Sequence, residues 1–297
     1  MPKPIRKAVM PVAGLGTRVL PGAKTVAKEL LNVVDRPIIA YAVAEARAAG
    51  IEHIVMVTGR GKQALEDYFD HHIELEAQLA AKGKTELLEE ILADLPKAGE
   101  MSFVRQMRPL GLGHAVWCAR DIIGDEPFAV ILPDMLMAAK RPALAQAVDA
   151  YDKVGGNIIV VEPVAEEDTH RYGVVALEGG REAYAGRGAP TRMQAMVEKP
   201  PQGTAPSNLI VSGRYILQPE IFDLLSAQET GAGGEIQLTD SMVKLMATQD
   251  FHALEYDGVT YDCGDKIGLL RANVAFALMR PDLGPDARVA IEALLKA

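Results

Sequence analysis

The sequence predicts an α/β protein on a mixed, mostly parallel central sheet flanked by helices. Three observations predict it. Short apolar runs alternate with amphipathic segments through the first half. A glycine-rich loop follows the first apolar run directly, and a carboxylate stands just past the most apolar one. Strands buried on both faces read as continuous apolar runs, and parallel neighbours need crossover helices between them.

The elements follow in order. Residues 7–12 read as a buried strand. Residues 37–49 read as a helix, with Pro37 in its first turn, where the missing N–H costs nothing, and Gly50 just past its end. A second strand (53–58) and a helix (62–69) come next. Residues 73–95, dense in charge and helical in pattern, read as an inserted, solvated helical hairpin. A third strand (101–105), a helix (113–123) and a fourth strand (128–132) complete the first half. Beyond it, strands are expected at 157–161, 174–177, 193–198 and 208–217, with the glycine-rich residues 179–190 as a hairpin tip or mobile loop. Helices close the chain at 219–227, 239–247 and 266–279. No repeat, low-complexity tract or Pro/Ser-rich linker divides the 297 residues. One domain over 1–297 is therefore expected, with a charged helical insertion near 70–98 and a helical elaboration near 264–297.

Charge and composition exclude several classes. A formal net charge of −9 argues against a general nucleic-acid binder. It leaves an anionic small molecule open, because a few local donors hold a phosphate. Cys118 and Cys263 are the only cysteines and lie far apart, which disfavours a disulfide framework or a zinc site. The run 128–139 contains Pro133 and Asp134 and is too short to span a bilayer. The basic residues 1–7 are not followed by the apolar stretch a signal peptide needs. The expected setting is the cytoplasm, with no membrane or nucleic-acid partner.

Four segments carry candidate chemistry. In Ala13-Gly14-Leu15-Gly16-Thr17-Arg18, two glycines let the backbone approach a ligand, and successive N–H groups form an anion nest. A dinucleotide fingerprint would need a glycine where Val19 stands and a helix running on, which Pro21 prevents. A P-loop would need Gly-Lys-Ser/Thr. A plain glycine turn fits the loop alone; Arg18, Lys24 and Lys28 nearby point to a polyphosphate. Asp134, just past an apolar strand, sits where open sheets bind ligands and suits Mg²⁺, although on this residue alone an ordinary turn aspartate, or a helix cap, is the better reading. Glu198-Lys199 ends a strand before Pro200-Pro201, so an ammonium reaches for phosphate while a carboxylate accepts from hydroxyls; an exposed ion-bearing strand end is the alternative. Asp262, between a short strand and a helix, is either part of a capping region or a second metal ligand.

The order of these motifs is more telling than any one of them. Pro11-Val12-Ala13-Gly14-Leu15-Gly16-Thr17-Arg18, Lys28-Glu29-Leu30-Leu31, Gly111-Leu112-Gly113-His114-Ala115, Leu132-Pro133-Asp134, Val197-Glu198-Lys199-Pro200, Glu235-Ile236-Gln237-Leu238-Thr239-Asp240 and Tyr261-Asp262-Cys263-Gly264 follow one another. Across nearly the whole chain this succession resembles the bacterial UTP–glucose-1-phosphate uridylyltransferases, a branch of the sugar nucleotidyltransferase family. The resemblance implies a Rossmann-like glycosyltransferase-A type fold, and a Mg²⁺-dependent reaction of UTP with glucose 1-phosphate to UDP-glucose and pyrophosphate. It implies that Ala13, Gly14, Gly16, Thr17 and Glu29 line the nucleotide, with Gln106 and Gly111 at the base. Arg18 and Lys28 then face the departing pyrophosphate. Asp134 and Asp262 hold the metal. Gly173, Glu198, Val211 and Gly213 form the sugar pocket, and Lys199 grips the sugar phosphate. A homodimer or homotetramer is implied as well. Ala27 stands where a proline often precedes the lysine and Gly22 where alanine is more usual, and neither removes a charge. A thymidylyltransferase is the second reading, disfavoured because such relatives carry Lys-Gln where this chain has Lys28-Glu29. A silent regulatory homologue is disfavoured by the intact Thr17-Arg18.

Overall fold

Alternation along the first strand sets the layers. Ala8 and Met10 point to one side and Val9 to the other, and all three are wholly buried, as a period of two requires in a strand covered on both faces. A computed structural model of the chain describes residues 2–296. From the N-terminus run β1 (Lys7–Pro11), the small ribbon of β2 (Asn32–Val33) and β3 (Arg36–Pro37), α1 (Ile38–Ala48), β4 (His53–Thr58), α2 (Gln63–Tyr68), α3 (Ile73–Ala81), α4 (Thr85–Ala93) and β5 (Met101–Arg105). Then come α5 (Leu112–Trp117), α6 (Arg120–Ile123), β6 (Phe128–Ile131), β7 (Met135–Ala138), α7 (Ala143–Val154), β8 (Asn157–Pro163), β9 (Gly173–Leu177), β10 (Thr191–Glu198) and β11 (Leu209–Leu217). The chain closes with α8 (Ile221–Ser226), α9 (Leu238–Leu245), β12 (Phe251–Glu255), β13 (Val259–Asp262), α10 (Lys266–Met279) and α11 (Gly284–Leu294).

Among the described residues, nine strands form one sheet in the order β5-β4-β1-β6-β11-β8-β12-β10-β9. Neighbours from β5 to β6 are parallel, and so are β8 and β12. Only β10 and β11 run against the rest. The sheet is thus mixed and mostly parallel, as expected. One face packs residues of α5, α8 and α9, and the other packs α1 and α7. The parallel strands β1, β4, β5 and β6 all deliver their C-terminal ends to one edge, where open α/β sheets place ligands.

Several elements depart from the expectations. Residues 113–123 form two short helices, because the last turn of α5 tightens: the Ala119 N–H donates to the Val116 carbonyl at 3.0 Å, a three-residue step. Residues 179–190 join the antiparallel neighbours β9 and β10, as a hairpin tip should, and add only a 3₁₀ turn at Arg181–Ala183. No strand was expected at β7 or β12, and no helix at α7. The four-residue β7 pairs with β13, more than 120 residues away, so no local pattern announces it. The stripe of α7 is regular, with Leu144, Ala147, Ala150 and Tyr151 buried, and its composition carried the signal. Helices α3 and α4 pack on each other with only Leu79 buried. Their base is tied to the body by Asp94, which accepts from Arg36 and from the Tyr68 hydroxyl at 2.6 Å.

Candidate active site

The loop after β1 is shaped by close approach. The Val12 N–H still donates to the Val57 carbonyl at 2.9 Å. A Cβ on Gly59, just past β4, would lie 3.2 Å from the Ala13 carbonyl oxygen. Gly16 has φ +66° and a Cβ there would meet the Lys28 Cβ at 3.0 Å, so the turn needs glycine for both conformation and space. Instead of a helix, three 3₁₀ turns follow at Thr17–Val19, Gly22–Lys24 and Lys28–Leu30. They fold Lys28 back against Gly14 and Gly16. Lys24 stays exposed.

Two cations and two carboxylates meet beside this loop. Lys28 Nζ donates to Asp134 Oδ2 at 2.5 Å, and Arg18 donates to Asp262 Oδ2 at 3.1 Å while its other terminal nitrogen lies 3.9 Å from Asp134 Oδ2. Burial alone would raise the pKa of Asp134; Lys28 and Arg18 outweigh it and hold the carboxyl below its ordinary range. Burial likewise disfavours charged Lys28 and Arg18, and Asp134 and Asp262 more than restore them, so both stay cationic. The carboxylates are aligned by backbone: β7 pairs antiparallel with β13, placing Met135 opposite Asp262, and the Cys263 N–H donates to the Asp134 carbonyl at 2.7 Å. A Cβ on Gly264 would stand 2.8 Å from Asp262 Oδ1 and 3.0 Å from Asp134 Oδ2, and against Arg18. One carboxylate oxygen from each aspartate therefore flanks a single point. No group of three or more His, Cys, Asp or Glu side chains among the described residues is arranged to hold a metal. Two hard carboxylates converging on one point nonetheless fit Mg²⁺, an ion commonly held by one or two carboxylates together with substrate phosphates and water.

Gln106 follows β5 and is buried. Its Nε2 donates to the Gly111 carbonyl at 3.1 Å and to His114 Nδ1 at 3.0 Å. Both amide hydrogens are thus engaged, which leaves Oε1 as an acceptor. Gly111 has φ +107° and a Cβ there would lie 2.8 Å from the Ile236 carbonyl oxygen, so the turn is wedged against the segment before α9. His114 was not among the expected site residues. Its Nδ1 accepts only in the neutral ring, and burial lowers its pKa below the ordinary 6.5. Protonation turns this acceptor into a donor facing the Gln106 amide. We therefore expect KM for the nucleotide to rise at acid pH, below the ordinary histidine range, by about fivefold for one hydrogen bond of about 1 kcal/mol. Steady-state titration of wild type against His114→Asn checks this, since the acid limb should be absent from the variant.

A third group gathers where β10 meets β9. Glu198 pairs with Gly173 in register, and a Cβ on Gly173 would lie 3.1 Å from Glu198 Oε2 and 3.6 Å from Val211 Cγ2. Thr239, at the start of α9, donates to Glu198 Oε2 at 3.1 Å. Lys199 has φ +46°, unusual for a side-chain-bearing residue. Its N–H donates to the Tyr172 carbonyl at 3.0 Å, and its Nζ stands 3.3 Å from Glu198 Oε1 with the side chain 59% exposed. Gly213, φ +80°, sits where β11 loses register with β8, and its carbonyl accepts from the Leu132 N–H at 2.9 Å. That bulge ties β11 to the Asp134 turn.

Glu29 stands apart from the others. It is 1% exposed behind Lys28, with Oε2 bonded to Lys62 Nζ at 2.7 Å and Oε1 without a partner in the described structure. Burial raises its pKa against the pull of Lys62 and Lys28. Lys62 and Arg214 were both missed. The signal for Arg214 was present: a cation inside the apolar run Leu209–Leu217.

Residues 7–277 match the family described as nucleotidyl transferase. The UTP–glucose-1-phosphate uridylyltransferase of Bacillus subtilis (strain 168) is 47% identical over 293 residues, covering 99% of this chain and 98% of the relative. A UTP-bound UGPase from Acinetobacter baumannii superposes with a TM-score of 0.89 at 42% identity, covering 97% of this chain and 98% of that one. A UDP-glucose pyrophosphorylase complexed with UDP-glucose superposes at 0.80 with 40% identity, over 93% of this chain and 100% of the other. Glycine loop, paired carboxylates and Glu-Lys strand end thus lie on a shared scaffold, and the chain belongs to the nucleotidyl transferase family, within its UTP–glucose-1-phosphate uridylyltransferase branch.

Proposed function

We propose that the chain transfers UMP from UTP to glucose 1-phosphate, giving UDP-glucose and pyrophosphate. The observation that carries this reading is the meeting of Arg18, Lys28, Asp134 and Asp262 beside the loop after β1, in a chain whose relatives are named for this reaction. Ala13, Gly14, Gly16 and Thr17 offer backbone to the triphosphate. Gln106 Oε1, together with the Gly111 turn, reads the base: an acceptor suits the N3–H of uracil. Glu29 supports the loop from behind. Gly173, Glu198, Val211 and Gly213 line the sugar, with Glu198 accepting from its hydroxyls, and Lys199 holds the sugar phosphate.

The chemistry joins two anions. A phosphate oxygen of the sugar bonds to the α-phosphorus as the bond to the pyrophosphate oxygen breaks opposite. Such transfers need positioning and electrostatic stabilisation, and no protein nucleophile. Arg18 and Lys28 take up the charge that grows on the departing pyrophosphate, and Lys199 orients the attacking phosphate. Asp134 and Asp262 would hold Mg²⁺, which when bound supplies further charge neutralisation between the phosphates. We propose the cytoplasm as its setting, a homodimer or homotetramer as its assembly, and a single domain with its helical insertion and C-terminal helices as its organisation.

Pyrophosphate release by the purified chain tests the reading. UTP with glucose 1-phosphate should give the highest rate, and omission of Mg²⁺ should abolish it. A faster reaction with dTTP would place the chain with the thymidylyltransferases, and no release with any pair would make it a silent homologue.

A further inference from the structure

Arg214 is 0% exposed. A guanidinium in a protein interior is costly unless each N–H is met, and here all five are. Nε donates to Glu45 Oε1 at 3.1 Å and one terminal nitrogen to Glu45 Oε2 at 2.8 Å. The same terminal nitrogen donates to the Met135 carbonyl at 2.9 Å, and the other to the carbonyls of Leu132 at 2.9 Å and Gly213 at 3.1 Å. Leu132 and Met135 are the two ends of the turn that carries Asp134. Within the turn itself the closing bond, from the Met135 N–H to the Leu132 carbonyl, is 3.2 Å. Glu45 belongs to α1, and its Oε1 also accepts from the Leu144 N–H at the start of α7 at 3.0 Å, so the clamp is rooted in two core helices.

We propose that Arg214, oriented by Glu45, is a positioning residue that fixes the direction of Asp134 toward the metal–nucleotide complex. It rests on the proposed function only in taking Asp134 as a carboxylate that meets a divalent cation. Two carbonyls at opposite ends of the turn are received by different nitrogens of one rigid plane, so their separation is set by the guanidinium. Asp134 is pulled by Lys28 from a loop of short 3₁₀ turns, and the clamp keeps that pull from swinging the carboxylate. The reach continues to the second aspartate, because Met135 is also the residue opposite Asp262. Lysine keeps the charge but has no fork, and it cannot span both carbonyls and both Glu45 oxygens.

The test compares wild type with Arg214→Lys and Glu45→Gln. Circular dichroism establishes folding, calorimetry gives UTP affinity without metal, and Mn²⁺ paramagnetic resonance in the presence of UTP gives metal affinity directly. Arg214→Lys should stay folded, bind metal-free UTP within about twofold of wild type, and bind Mn²⁺ about 10- to 100-fold more weakly, the usual range for groups that orient a metal ligand. Glu45→Gln, which keeps one acceptor, should move the same way by less. Unchanged Mn²⁺ affinity in folded Arg214→Lys would overturn the proposal whatever the loss of thermal stability. So would wild type that binds no Mn²⁺ with UTP, or failure of both variants to fold, which would make the pair a folding element. A wild type that binds Mn²⁺–UTP but releases no pyrophosphate would sink the proposed function and leave this one standing.

Discussion

Asp134→Asn should lower kcat by about a hundredfold to a thousandfold, the loss expected when one charged element of a preorganised site is removed. The substitution is isosteric, so the turn and its backbone bonds to Arg214 and Cys263 persist. Charge is what changes. Lys28 at 2.5 Å and Arg18 at 3.9 Å lose a shared anion, and the site becomes more positive by one unit. Metal-free UTP, itself a polyanion, should therefore bind as well as before or more tightly, while the divalent cation binds less well. That opposition separates the outcome from simple damage, which would weaken both. Calorimetry without metal and pyrophosphate release across a Mg²⁺ series check it. Unimpaired turnover at ordinary Mg²⁺ would remove Asp134 from the metal site.

Lys199→Ala should cost about a hundredfold in turnover, or about 2.7 kcal/mol of transition-state stabilisation, with little change in folding. The side chain is 59% exposed and its ion pair with the half-buried Glu198 is a loose 3.3 Å, so truncation forfeits little stability. The backbone is a further reason for a functional role. A lysine at φ +46° followed by proline is held in a sparsely populated region by its bond to Tyr172, and such strain gathers at working positions. Lys199→Gly, which relaxes that conformation, should be at least as stable as Lys199→Ala and equally slow. Near-normal kcat in both would sink the role. The loss should appear for the sugar phosphate and leave UTP affinity intact.

Much of this was legible in the sequence because the relevant physics is local. The strand–glycine-loop order, Pro21 as a barrier to a continuing helix, and Asp134 past the apolar run 128–131 all follow from neighbours in the chain. What escaped was non-local. The ribbon of β7 and β13 exists only once the sheet has formed. Arg214 is a lone cation inside the apolar run 209–217, and its five acceptors come from Glu45, Leu132, Met135 and Gly213, distant in sequence apart from the last. Glu29 is expected from the resemblance to line the nucleotide, and only packing reveals that it is buried against Lys62. His114 lies inside the motif Gly111–Ala115, but its partner Gln106 lies across a turn whose shape depends on Gly111.

The ribbon acts as a ruler. Asp134 immediately precedes β7 and Asp262 ends β13, so the spacing of the two carboxylates is measured in strand residues, not in rotamers. Adding or deleting one residue within either strand would turn one aspartate toward the opposite face, since each step along a strand reverses a side chain. Changes of length elsewhere, as between α3 and α4, meet no such constraint. Four residue pairs of backbone ladder thereby make this stretch of the chain intolerant of insertion, although nothing in its composition marks it as special.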